Sequence, residues 1–305
     1  SGEKLAKDLK ISRAAVNKQV QLLRKKGYVI SAHSNAGYCL EARPDIVSPD
    51  EISGFLRSGT DTFQFFYFED LNSTQEEAKS LAGKSVNEWE VVVAETQRRG
   101  KGRLGREWAS PSGGIWFSVI LKPDILPDSV PQITLVASIA LCDTIEKLLG
   151  INTSIKWPND VMSAGMKIAG ILTEMSAEVG KTNWVVMGIG INANNDIPAD
   201  LKESAASLRE ISGKSINRPE LLAFFLEEFR DKVNALIRNG FSAFQDRYNE
   251  YSILNGKKVS INNGHETLAG TAGMIDENGY LILQSDNGKI DRIIAGDVTL
   301  KNSKQ

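Results

Sequence analysis

Residues 97–108 read QRRGKGRLGREW, and Gly100, Gly102 and Gly105 keep the G-x-G-x-x-G spacing of a dinucleotide-binding turn. The residues after those glycines constrain the fold more than their spacing does. A dinucleotide turn opens a helix at its third glycine and needs an acidic residue about 20 positions later. Here the chain continues REWASPSGGIWFS, where Pro111, Gly113 and Gly114 stop a helix, and no Asp or Glu lies between Glu107 and Asp124. A Rossmann crossover is therefore excluded at this point, and no G-x-x-x-x-G-K-[ST] run exists to make a P-loop. What remains is a glycine-rich backbone with unshielded N–H groups, threaded with Arg98, Arg99, Lys101, Arg103 and Arg106. Such a loop is suited to wrap a phosphate or a carboxylate. Ordering it is expensive, so it is expected to stay loose until an anion arrives.

The 305 residues are 41% hydrophobic, enough for two or three domains at roughly 150 residues each. A net charge of −2 gives no global pull toward nucleic acid or membrane. No apolar run reaches the roughly 18 residues of a spanning helix, and SGEKLAKDLK has no signal-peptide core, which points to the cytoplasm. Cys39 and Cys142 lie far apart and read as reduced, mostly buried thiols. His33 and His265 are the only histidines and neither has partners at ligand spacing, so no protein-held metal is expected.

Charge is uneven along the chain. Residues 1–43 hold nine Lys and Arg against Glu3, Asp8 and Glu41. Leu5, Ala6 and Leu9 mark a short helix, Ser12 is placed to cap a second, and Val16, Val20 and Leu23 keep helical spacing up to Gly27. YVISAHSNAGYCLE then reads as two strands around Ser34, Asn35, Ala36 and Gly37. That order is a winged helix-turn-helix, with Ser12, Arg13, Asn17 and Lys18 facing the major groove of DNA. The blander alternative is a solvated basic helix pair packed on the rest of the chain.

Pro44 and Pro49 break regular structure in RPDIVSPDE. Beyond them EWEVVVAETQ and GGIWFSVIL read as strands flanking the glycine loop, and QITLVASIALCDTIEKLLG as a helix ending at Gly150. KIAGILTEMSAEV and NWVVMGIGINA form a hairpin through Gly180 and Lys181, and PELLAFFLEEFRDKVNALIRNG is a long amphipathic helix. The expectation is α+β, an antiparallel sheet with helices on one side. KKVSI, LAGTAGMI, GYLILQ and DRIIAGDVTL are short strands of a small closing β-barrel. The expected domains are 1–46, 47–252 and 253–305.

Four stretches in one order, LNSTQEEA (71–78), GKGRLGREWASPSGG, KWPNDV (156–161) with KIAGILTE (167–174), and GIGINAN (188–194), resemble the biotin protein ligase family. The resemblance covers nearly the whole chain and, with the basic winged helix in front, is to the members that combine ligase and biotin-operon repressor. It implies a catalytic domain of class II aminoacyl-tRNA synthetase-like fold and an SH3-like C-terminal domain. It also implies a two-step reaction. Biotin and ATP, with Mg²⁺, give biotinyl-5′-AMP, and the acyl group then passes to a lysine of a biotin carboxyl carrier domain. Operator DNA, a homodimer formed with adenylate bound, and no membrane complete the implied partners. The repressors begin their DNA-binding domain with a further helix, which would precede Ser1, and the winged helix here is expected to lack it.

By the same resemblance Ser73, Thr74, Gln75 and Gln97 contact biotin, together with Gly100, Lys101, Gly102, Arg103, Lys167 and Gly170. Helix capping is the bland reading of Ser73 or Thr74 before QEEA, and a lysine heading an apolar strand can simply snorkel. Arg103, Arg106, Trp108, Asn159, Lys167 and Asn192 are implied on the nucleotide. Lys167, Arg103, Arg106 and Asp160 are implied in catalysis, Asp160 toward the acceptor lysine. Taken alone, Pro158-Asn159-Asp160 is also a plain turn. Two departures stand out. Lys101 replaces a more frequent arginine, and Ala205 or Ala206 stands where some members place a tryptophan against adenine. Two other readings stay open: a biotin-sensing DNA-binding regulator without ligase activity, and a lipoate-type acyl ligase.

Overall fold

The computed structural model describes residues 2–33, 37–59, 61–84, 87–264 and 266–301. It divides into two units, one ending at Ile46 and one beginning at Val47. In the first, helices α1 (Gly2–Asp8) and α2 (Arg13–Lys25) precede strands β1 (Val29–His33) and β2 (Gly37–Ala42). Ser12 caps α2, its Oγ accepting from the Ala15 N–H at 3.1 Å. Val16 and Val20 turn one face of α2 inward, while Ser12, Arg13, Asn17 and Lys18 are exposed. β1 and β2 pair antiparallel from Val29↔Ala42 to His33↔Gly37. The expected turn residues Ser34, Asn35 and Ala36 lie outside the described residues, as does His265.

The second unit runs α3 (Pro49–Ser53), β3 (Gln64–Leu71), α4 (Thr74–Ala82), β4 (Glu90–Gln97), β5 (Ile115–Leu121), α5 (Val130–Leu149), β6 (Ser154–Lys156), β7 (Asp160–Ser163), β8 (Met166–Glu178) and β9 (Lys181–Ile191). Then come α6 (Leu208–Ser212), α7 (Arg218–Asn239), α8 (Ser242–Tyr251) and the short strands β10 (Lys258–Asn262), β11 (Thr267–Ile275), β12 (Leu281–Gln284), β13 (Ile290–Ile293) and β14 (Asp297–Leu300).

The main sheet has the order β3-β4-β5-β9-β8-β7-β6. It departs from the sequence expectation twice. β3 and β4 are parallel, because α4 carries the chain back across the sheet between them. Helices also cover both faces. Val91, Val93, Val119 and Leu121 point into the main core with α5 and α7, while the alternate residues Val92, Ile120 and Val186 pack with Ala78 and Ala82 of α4. The unbroken VVV of β4 is the mark of a strand buried on both sides.

The last five strands form an antiparallel sheet, β13-β12-β11-β10-β14, whose Val259, Ile261, Leu281 and Leu283 join the same core as Ile155 and Trp157. DRIIAGDVTL is two strands, not one, broken at Ile294–Gly296. Cys142 is buried, which pushes its thiol up to about 12, whereas Cys39 is exposed, contrary to expectation. Among the described residues no helix is long and apolar enough to cross a membrane.

One buried ion pair ties the layers together. Arg218, 1% exposed at the start of α7, donates to Glu95 Oε2 on β4 at 3.0 Å and to the Gly114 carbonyl before β5 at 2.7 Å. Glu95 Oε1 also accepts from the Val47 N–H at 2.7 Å. Removing one partner leaves a buried charge uncompensated, so Arg218→Ala is expected to lower the unfolding free energy in urea by about 3–5 kcal/mol. A loss under about 1 kcal/mol, the range of a surface pair, would contradict this role.

Candidate active site

β3 and β4 end side by side, with Leu71 and Gln97 as register partners, so the segment after each strand opens onto one crevice. Crevices at the carboxyl ends of parallel strands are where such sheets bind ligands. Here Ser73, Thr74 and Gln75 meet Gln97. The Thr74 N–H and Oγ1 donate to Gln97 Oε1 at 2.8 and 3.1 Å, and Gln97 Nε2 donates to Ser110 Oγ at 2.8 Å. Ser118 on β5 links Thr74 (2.9 Å) to Gln75 Oε1 (3.1 Å), and Gln75 Nε2 reaches Glu174 at 2.9 Å. This chain is satisfied from end to end. Ser73 is the exception. It stands at the N-cap of α4, yet its buried Oγ makes no capping bond and has no partner. The capping explanation of Ser73 therefore fails, and an unmet buried hydroxyl faces the ligand crevice.

The crevice is walled by Phe117, Ile171, Leu172 and Ile189 and roofed by the glycine loop. The loop is hairpin-like. Gly102 N–H donates to the Arg106 carbonyl at 2.8 Å, Trp108 N–H to Gly100 at 2.9 Å, and a short 3₁₀ turn at Arg103–Gly105 carries exposed Leu104 at its tip. No helix comes after it, and the chain enters β5 instead. Three of the loop's cations reach acids or amides outside the loop. Lys101 pairs with Glu76 at 2.6 Å, Arg103 with Asn159 at 2.9 Å and Asp297 at 3.4 Å, and Arg106 with Asp297. Gly100 does not line the cleft. Its role is packing, since a Cβ there would strike the Trp108 carbonyl and Ser110 Oγ.

A second, roomier cleft lies beyond, bounded by Asn192, Asn195, Ile197, Leu201 and Ala205. Glu107, Trp108, Asp160 and Lys167 line both clefts and so form the wall they share. Lys167 does not snorkel outward. Its Nζ lies 2.7 Å from Asp160 Oδ1 and 5.0 Å from the Trp108 ring centroid, a cation–π contact. Trp108 in turn rests on Gly170 and Gly190. A Cβ at Gly170 would come within 2.9 Å of the indole, and one at Gly190 would overlap it.

The residues expected on biotin thus gather in the first cleft, except Gly100. Of those expected on the nucleotide, Trp108 and Lys167 line both clefts and Asn192 the second, while Arg103, Arg106 and Asn159 border the first. Asn159 is also tied to β8, donating to the Ile171 carbonyl at 2.9 Å. Ser118, Glu174, Glu76 and Asp297 are not legible as site residues in the sequence. Ser118 interrupts an apolar strand and Gly296 interrupts a strand pattern beside Asp297, and these are the only local signals.

A polar-headed, apolar-walled pocket joined through a lysine to a larger chamber is the layout of an enzyme that activates a small acid with a nucleotide. Comparisons agree. The biotin/lipoate A/B protein ligase family matches residues 67–192, a helix-turn-helix domain residues 1–39, and the biotin protein ligase C-terminal domain residues 255–301. The chain is 38% identical over 304 residues to the bifunctional ligase/repressor BirA of Bacillus subtilis (strain 168), covering 98% of this chain and 93% of that one. It is 27% identical to the Escherichia coli (strain K12) protein of the same name, over 100% and 94%. Among solved structures it resembles the biotin protein ligase of Aquifex aeolicus in complex with biotin and ATP, with TM-score 0.69 and 30% identity over 79% of this chain and 99% of that one. The chain belongs to the biotin protein ligase family, in the branch that carries an N-terminal helix-turn-helix.

Gly190→Ala tests the packing of Trp108. The variant is expected to stay folded by circular dichroism while kcat/KM for the acid substrate falls at least about tenfold, or ~1.4 kcal/mol. Unchanged kinetics would show that the indole's seat does not matter.

Proposed function

We propose that this chain activates biotin with ATP and transfers it to a lysine of a biotin carboxyl carrier domain, and that its N-terminal unit represses biotin genes at operator DNA. The observation that carries the reading is the meeting of the two clefts at the Lys167–Asp160 pair. In the first step a biotin carboxylate oxygen attacks the α-phosphorus and pyrophosphate leaves. In the second the carrier amine attacks the acyl carbon and AMP leaves. Mg²⁺ arrives with ATP and offsets the triphosphate charge.

Ser73, with its unmet buried hydroxyl, and the Thr74–Gln97–Ser118–Gln75 chain suit the ureido head. Phe117, Ile171, Leu172 and Ile189 suit the apolar ring and tail. Lys101, Gly102, Arg103 and Arg106 border the carboxylate end, and Arg103 is assigned to retain the adenylate. Lys167 Nζ balances the negative charge gathering between carboxylate and α-phosphate, where a fixed cation in a water-poor site lowers the barrier most. Asp160, touching Lys167, is assigned to orient the acceptor amine and take its proton. Trp108 and Asn192 border the nucleotide's cleft, with Asn159 at its approach. Exposed Ser12, Arg13, Asn17 and Lys18 on α2 are the DNA-contacting set, acting in a homodimer that forms with adenylate bound. ATP and DNA as partners point to the cytoplasm.

Incubated with biotin, MgATP and a carrier domain, the protein is expected to give a streptavidin-reactive carrier band. Lys167→Ala should slow biotin-dependent ATP–pyrophosphate exchange by about 10²–10³, the usual effect of losing one preorganised donor. An unlabelled carrier beside an active control ligase would refute the ligase reading, and a Lys167→Ala protein with full exchange would refute the lysine's role.

A further inference from the structure

The polar chain at the head of the first cleft ends in a carboxylate that does not itself line the cleft. Glu174, on β8, accepts from Gln75 Nε2 through Oε2 at 2.9 Å, and its Oε1 takes Lys79 Nζ of α4 at 3.1 Å. The Val186 carbonyl on β9 accepts from the same Gln75 Nε2 at 3.2 Å. Gly188 makes room for the other end of the amide, since a Cβ there would come within 2.5 Å of Gln75 Oε1. An ionised carboxylate and a carbonyl only accept, so together they admit only the NH₂ end of the Gln75 amide. Gln75 Oε1 is thereby turned to Ser118, whose Oγ lies 3.1 Å away.

That orientation decides the direction of the hydrogen bonds beyond it. Between Gln75 and Gln97 stand two hydroxyls, Ser118 and Thr74, each with one proton to give. Two arrangements of those protons satisfy the chain. With Gln75 Oε1 toward Ser118, Ser118 donates to Gln75, and Thr74 donates to Ser118 across 2.9 Å. Gln97 Oε1 then accepts the Thr74 N–H at 2.8 Å and keeps a lone pair, and Thr74 Oγ1 keeps both of its own. With the amide reversed, Ser118 accepts from Gln75 and donates to Thr74, and Thr74 turns its proton to Gln97 Oε1 at 3.1 Å. Gln97 Oε1 would then be filled by Thr74 alone. Thr74 and Gln97 both line the cleft, so the first arrangement offers a ligand acceptors that the second withdraws.

We propose that Glu174 is a positioning residue that fixes this hydrogen-bond sense through Gln75. It keeps Thr74 Oγ1 and Gln97 Oε1 as acceptors for the two ring N–H groups of a cyclic urea. Ser73, whose buried hydroxyl has no partner, is the matching donor for the urea oxygen. The inference rests on the ligase reading for the ligand, and adds the residue that makes the pocket select a donor-bearing ring.

The test is calorimetric titration of biotin into the parent protein, Glu174→Met, Gln75→Met and the double variant. Glu174→Met removes the acceptor at similar side-chain length and should bind biotin at least about tenfold more weakly, the effect of one hydrogen bond to a charged group. Glu174→Gln keeps one acceptor oxygen and should fall between the two. Because Glu174 acts through Gln75, adding Glu174→Met to Gln75→Met should weaken binding by less than about threefold further. KM for ATP and the Tm should stay at the parent values. Parent-like binding by Glu174→Met, fully additive losses in the double variant, or a KM for ATP rising in step with the biotin Kd overturns the proposal. If Glu174→Met unfolds, Glu174→Gln decides, and parent-like affinity there overturns it. A parent protein that binds no biotin sinks the ligase reading itself, an outcome distinct from any difference among the variants.

Discussion

Gly170 on β8 and Gly190 on β9 are register partners, and their pairing leaves bare backbone in the middle of the main sheet. Trp108 fills that space, and a side chain at either glycine would push the indole away. The ring separates the two clefts and also forms the surface against which Lys167 Nζ is held at 5.0 Å. Asp160 fixes the same ammonium from the neighbouring strand at 2.7 Å. The proposed meeting point of acid and nucleotide is thus set by three adjacent strands, β7, β8 and β9, and by a tryptophan just past the loop. Rigid placement of this kind lets a charge act without reorganising during reaction.

The anion-holding groups are arranged on a different principle. Lys101, Arg103, Arg106 and Lys167 are each matched to an acid, through Glu76, Asp297 and Asp160. The pairing ties a glycine-rich loop to acids far from it in the chain. Glycine entropy belongs to the loop by itself, whereas the acids that hold it come from α4 and β14.

Local punctuation makes much of the fold readable. Ser12 and Gly27 bound α2, Gly150 in a left-handed conformation ends α5, and Pro219 and Gly240 bracket α7. Pro111, Gly113 and Gly114, with the missing acid downstream, separate the glycine loop from a dinucleotide turn. Strand direction is not readable, because nothing within QFFYFEDL says that it pairs parallel with β4. The second helical layer escapes for a related reason, since it depends on which neighbour α4 meets. In the site, the motif residues other than Gly100 line the two clefts, but Ser118, Glu174 and Asp297 come from strands whose patterns speak only of packing. Asp297 is 191 positions from Arg106, and no local rule connects them.

A crystal structure with a non-hydrolysable biotinyl-adenylate analogue tests the meeting point most directly. The expected result has the acyl–phosphate linkage within hydrogen-bond distance of Lys167 Nζ, the ureido head at Ser73 and the adenosine beside Asn192. A linkage lying away from Lys167, or an adenosine occupying the Ser73 pocket, would contradict the two-cleft division on which the catalytic reading stands.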